Sequence, residues 1–201
     1  MRTIFVWLLT CSLAFGQVVA PAVNAPLNGT GVASTLWTSS AAQSMASTSD
    51  VSCFSPSGTG PGQTVSANTL SIGNYFHLYC TGFYSTPIAN TATVTVKINW
   101  GATNIVSVTT AALPASASNF PFTLDVVCTI RTIGATGTII CSGGLYYSAA
   151  LSGVALLFNS MLSTTVVINT TTSNKIDVTA AWSTVAGSQN AVAVVGSIQL
   201  F

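Results

Sequence analysis

The stretch FPFTLDVVCTIRTIGATGTIICSGGLYY, residues 120–147, decides the fold. Its first half places Phe122, Leu124, Val126, Cys128 and Ile130 on one side and Thr123, Asp125, Thr129 and Arg131 on the other. A period of two marks a half-buried β-strand, because successive side chains of an extended chain point to opposite faces. Gly134-Ala135-Thr136-Gly137 interrupts the pattern, and residues 138–147 run back as a second strand. Strand, tight turn and strand predict an antiparallel hairpin.

The same texture extends outward. In 91–100, Val94, Val96, Ile98 and Trp100 alternate with Thr93, Thr95, Lys97 and Asn99, and the Gly101-Ala102 turn leads into a strand over 104–110. Strands are predicted at 51–54, 70–84, 163–169, 175–184 and 191–201, with the glycine-rich loop 55–62 between the first two. Residues 149–162 fit either a buried helix or a pair of strands. Short strands with turn residues at such intervals predict an all-β sandwich or barrel, here an antiparallel jelly-roll β-sandwich of about eight strands with an extended N-terminal arm.

The chain ends are different. Residues 1–16 combine Arg2, an apolar run from Ile4 to Phe15 and small residues at Ala14 and Gly16. That is the layout of a cleaved export signal, or of a hydrophobic N-terminal segment. The run is shorter than the roughly 20 residues a membrane span needs, so no stable span is expected after its removal. Residues 17–47 are rich in Ala, Ser, Gly and Pro and read as an arm or linker, leaving 48–201 as the folded domain.

Composition narrows the chemistry. Of 201 residues, half are hydrophobic and only 3% charged; mean hydropathy is +0.64. There is no Glu, the Asp residues are Asp50, Asp125 and Asp177, and His77 is the one histidine. Paired Glu carboxylates, a multi-histidine metal site and a basic nucleic-acid face lack their raw material. No GxSxG elbow accompanies His77. A non-enzymatic protein is expected, with no cofactor, no metal and no nucleic-acid partner. In an exported chain, four cysteines beyond Cys11 suggest two disulfides, with three pairings open. Cys128 and Cys141 flank the predicted hairpin turn, opposite or diagonal on one face, which favours their pairing and leaves Cys53 with Cys80. Asn28-Gly29-Thr30 and Asn169-Thr170-Thr171 match the N-glycan acceptor pattern.

Three segments, in order, carry a resemblance. TVSANTLSIGNYFHLYCTGFYST (64–86), LPASASNFPFTLDVVCTIRTIGATGTIICSG (113–143) and NKIDVTAAWSTVAGSQNAVAVVGSIQLF (174–201) resemble successive motifs of the jelly-roll surface and appendage proteins, capsid- or tail-associated, of tailed-phage and related virions. The resemblance implies a non-enzymatic structural protein that assembles on a particle surface, commonly as a homotrimer, alone or with other particle proteins. An export signal and four cysteines depart from the phage pattern and suit a secretory route, so a secreted, extracellular or virion-surface location is expected. Tyr75, Tyr79, Phe83, Tyr84, Tyr146 and Tyr147 are the expected binding or interface aromatics. Such rings suit sugars as well as subunits, and the second reading is a secreted carbohydrate-binding module.

Overall fold

The computed structural model describes residues 34–39, 43–54, 63–87, 92–148, 156–185 and 190–201. Within them the chain is all-β, with no helix. The strands are β1 (Ser34–Ser39), β2 (Gln43–Ser44), β3 (Val51–Ser52), β4 (Gln63–Val65), β5 (Tyr75–Ser85), β6 (Val94–Trp100), β7 (Thr103–Thr109), β8 (Phe120–Thr132), β9 (Gly137–Ser148), β10 (Leu156–Leu162), β11 (Val166–Ile168), β12 (Asn174–Trp182) and β13 (Asn190–Leu200).

They build two antiparallel sheets. The large sheet runs β1-β13-β5-β8-β9-β10, with β2 beside β13 and β11 beside β9. The small sheet runs β3-β12-β6-β7, with β4 beside β12. Among the described residues thirteen strands stand where about eight were expected: β1, β2, β4 and β10 are the additions, β2 and β4 being too short to display a period. The ambiguous stretch contributes β10, a strand; the rest of it, 149–155, lies outside the described residues, as does the loop 55–62. Part of the arm is also structured: Ser34–Ser39 is extended, as an arm would be, but hydrogen-bonded along β13 as an edge strand.

The central hairpin follows the alternation. Leu124, Val126, Cys128 and Ile130 of β8 are buried and Phe122 is partly so, facing Ile139, Cys141 and Leu145 of β9. Val94, Val96, Ile98 and Trp100 bury the inner face of the small sheet. At Gly101 the two-residue β6–β7 turn needs a left-handed backbone (φ 57°), and a Cβ there would fall 2.2 Å from Asn174 Oδ1. Glycine meets both demands, since it has no Cβ to clash.

The sheets are fastened at both flanks. Asn159 Nδ2 of β10 donates to Thr109 O of β7 at 2.9 Å. On the other flank Met45 is buried, its carbonyl accepts from Trp182 Nε1 at 2.7 Å, and Trp182 N donates to Ser47 O at 2.9 Å. Trp100 Nε1 donates to Asn169 O at 3.1 Å. Both indoles therefore bury their rings and satisfy their only polar hydrogen, the condition under which a buried tryptophan stabilises a core.

Candidate functional site

The two outer faces differ in chemistry. On the small sheet every outward side chain of β6 finds a polar neighbour. Thr95 bonds Thr109 between hydroxyls (2.9 Å), Lys97 Nζ donates to Asp50 Oδ2 (2.8 Å), and Asn99 Nδ2 donates to Thr179 Oγ1 (3.0 Å). Beside them Ser52 Oγ donates to Asp177 Oδ1 (2.7 Å). Lys97 and Asp50 form an ion pair at the surface of this sheet.

The large sheet presents a mixed face on which several large apolar side chains are exposed. Strand register places Val195, Thr81, Thr123, Tyr146 and Phe158 in one row across β13, β5, β8, β9 and β10. Gln199, His77, Val127, Ser142 and Leu162 form a parallel row on the same face. Phe83, Val127, Tyr146, Phe158, Leu162 and Val195 are all exposed, Leu162 to 68% and Phe158 to 53%. Tyr146 and Phe158 touch, with ring centroids 4.9 Å apart. Phe158 can lie flat because residue 144 is glycine: a Cβ there would sit 2.0 Å from the ring.

The six aromatics expected as a binding set are divided by parity. Phe83 and Tyr146 are exposed on this face, with Tyr75 and Tyr79 half-buried beside them; the Tyr75 ring stacks on Phe201 at 4.6 Å. Tyr84 and Tyr147 point the opposite way, into the core. Tyr84 OH donates to Ser148 O, and Tyr147 OH accepts from Ala111 N at 3.0 Å. Burial, with Tyr147 adding to it, pushes the Tyr84 phenol above the ordinary tyrosine range. One residue of offset along a strand turns a surface aromatic into a core one, so grouping the six by strand put two core residues in the set. Phe158 was missed because its segment shows no clear period.

His77 also gains a partner the sequence did not indicate. Its Nε2 lies 2.8 Å from Asp125 Oδ1, on the exposed face of β5 and β8. The pair is diagonal, since His77 stands opposite Val127 and Asp125 opposite Tyr79. Residues 48 apart in the chain cannot be matched without the register. Among the described residues, no side-chain hydroxyl or thiol is hydrogen-bonded to either group, and no cluster of three His, Cys, Asp or Glu gathers to hold a metal.

Cys128 and Cys141 are directly opposite on β8 and β9 and form a disulfide, with Cα atoms 4.0 Å apart. The expected Cys53–Cys80 bond is not formed: both are buried free thiols. At Asn169, Oδ1 accepts from the backbone N and the hydroxyl of Thr171, both at 2.8 Å, so this acceptor triplet is a turn folded onto itself. Asn28 lies outside the described residues.

No known protein family, curated relative or solved structure matches this chain.

Proposed function

We propose that this chain is a non-enzymatic structural protein, a virion-surface or extracellular assembly component, whose jelly roll associates with copies of itself as a homotrimer. The observation that carries the reading is the outer face of the large sheet. Its central five strands cover roughly 25 Å by 25 Å, on the order of 600 Å² of flat area, near the roughly 800 Å² each partner contributes to a standard interface. That face exposes Phe83, Val127, Tyr146, Phe158, Leu162 and Val195 together. Six large apolar side chains exposed on one face, among threonines and serines, support a partner site there.

A second copy is the occupant the chemistry favours. Asp125 is hydrogen-bonded by His77 within the same molecule, Arg131 is the other charge on the large sheet, and Asp50, Lys97, Lys175 and Asp177 belong to the other sheet. The chain's passages between sheets, from β5 to β6, β7 to β8, β11 to β12 and β12 to β13, support the jelly-roll reading. The Cys128–Cys141 bond supports an extracellular or virion-surface location, because disulfides persist in oxidising compartments.

Sedimentation equilibrium at micromolar concentration tests the proposal. A trimer mass is expected, and a monomer mass at tens of micromolar would sink it. The Tyr146–Phe158 pair also offers a platform of the size of a sugar ring, the one observation that favours a carbohydrate-binding module. A monomer whose glycan binding is lost in Y146A would replace the first reading with that one.

A further inference from the structure

The core holds reactive chemistry that the assembly reading does not use. Cys53 follows β3 on the small sheet and Cys80 lies in the middle of β5 on the large one, so the two thiols approach each other from opposite layers. They are 4% and 1% exposed, and both line the same apolar cavity between the sheets. The Cys53 thiol contacts Met45 Sδ at 3.2 Å. That cavity, of about 40 Å³, is lined by all three residues.

We propose that Cys53 and Cys80 are the site of a second disulfide, a clip between the two sheets that closes during folding and is sealed from solvent afterwards. Three observations support it besides proximity. The Cys128–Cys141 bond implies that the chain meets an oxidant while it folds. Both cysteines line the one cavity, which gives their side chains free space on the side where they face each other's layer. The two bonds also do different work: Cys128–Cys141 joins neighbouring strands 13 residues apart, whereas Cys53–Cys80 would tie the β3 edge and the buried Met45 segment to the opposite sheet.

The oxidant is a low-molecular-weight disulfide. One cysteine thiolate attacks it, releasing one small thiol and leaving a mixed disulfide; the other cysteine then attacks the protein-side sulfur and releases the second small thiol. The two protein thiols lose two electrons, the small disulfide gains them, and the two protons end on the released thiols. Exchange needs a thiolate and access to the sulfur. In the folded core, the neighbouring Cys80 thiol and burial push the Cys53 thiol up and hold it protonated. The bond must therefore form before the sheets close, or through an opening of the β3 flank.

The test uses the full chain, refolded from the reduced denatured state in a mixture of oxidised and reduced glutathione, quenched with N-ethylmaleimide in denaturant and mapped by mass spectrometry without reductant. A Cys53–Cys80 linked peptide is expected, with neither residue alkylated. Both residues alkylated beside an intact Cys128–Cys141 link would overturn the proposal. So would either residue bonded elsewhere, or a stoichiometric soft metal ion held by the two thiols in the purified protein. Adding the same mixture to protein already folded under reductant should oxidise this pair at least a hundredfold more slowly than during refolding. Equal rates would overturn the sealing.

Discussion

The outer faces of the two sheets are made from the same poorly charged sequence, yet they mix polar and apolar side chains differently. On the small sheet Thr95–Thr109, Lys97–Asp50, Asn99–Thr179 and Ser52–Asp177 satisfy each other across strands. On the large sheet Thr81–Thr123, Thr132–Thr138 and His77–Asp125 do the same, but Phe83, Val127, Tyr146 and Phe158 stand exposed among them, the rings of Tyr146 and Phe158 touching. Cross-strand polar pairs each contribute roughly 0.2–1 kcal/mol and leave nothing for another molecule to complete. Exposed rings do the reverse, since each gains about 25 cal/mol for every Å² it later removes from water. A surface with almost no charge is therefore not uniform, and the proposed association uses the side where large apolar groups are exposed.

The sharpest way to break that comparison is to charge that side. F158E places one carboxylate per copy in the proposed interface, where like charges and desolvation each cost several kcal/mol. Association should weaken at least a thousandfold, about 4 kcal/mol, in sedimentation equilibrium. S107E, on the exposed outer edge of the small sheet, is the matched control and should leave the mass distribution unchanged. Equal loss in both variants would show that net charge, and not this face, governs assembly.

The glycine pair beneath the large sheet's outer face separates scaffold from surface. A Cβ at Gly143 would meet Asp125 O at 2.2 Å and Val126 Cα at 2.6 Å, both backbone. At Gly144 the obstacle is the Phe158 ring, the far end of a side chain. G143A must force β8 and β9 apart and should cost about 3 kcal/mol, whereas G144A should cost about 1 kcal/mol as the ring swings away. Urea midpoints read both. G144A should also weaken association, because the Tyr146–Phe158 pair depends on the flat ring.

The two layers were legible in the sequence to different degrees, for a physical reason. β6 and β8 alternate apolar with polar residues because each has one face in the core and one against polar neighbours or water, so period two reads directly onto burial. β5 is bulky on both faces: Phe76, Leu78 and Cys80 point inward, while Tyr75, Tyr79 and Phe83 point outward. Hydrophobicity alone cannot assign such a strand its faces, so grouping its aromatics by strand sets inward-facing Tyr84 with outward-facing Phe83. The His77–Asp125 pair depends on the β5–β8 register, which a linear pattern does not contain. β10 hides for a third reason, since Leu156–Leu162 is apolar on both sides of Asn159 and Ser160 and fits helix or strand equally.

Tyr84 offers a test of the inward side of β5. Its folded phenol is raised above the unfolded value, so the fold favours the protonated form. That stability is fully present below the unfolded pKa of about 10 and is lost as pH rises from there towards the raised folded value. By pH 11 the loss can reach about 1.4 kcal/mol, the equivalent of one pH unit. Urea midpoints measured from pH 8 to 11 should fall in the wild type and fall less in Y84F. Parallel curves would mean that another group titrates.

The smallest effect concerns two serines whose contrasting partners repeat the contrast between the faces. Ser52 is 4% exposed, and its hydroxyl donates to Asp177 Oδ1 while accepting from Phe54 N at 3.1 Å. Ser148 is 1% exposed, and its hydroxyl has no hydrogen-bond partner among the described residues although its carbonyl accepts from Tyr84. Removing a bonded hydroxyl loses its bonds and strands its partners, so S52A should cost about 1 kcal/mol. Removing an unbonded buried hydroxyl relieves a desolvation cost and leaves the backbone acceptor in place, so S148A should gain about 0.5 kcal/mol. Opposite signs in thermal denaturation would tie the difference to bonding and not to burial, which the two residues share. A loss in S148A would mean that the hydroxyl is engaged, with an ordered water as the simplest partner.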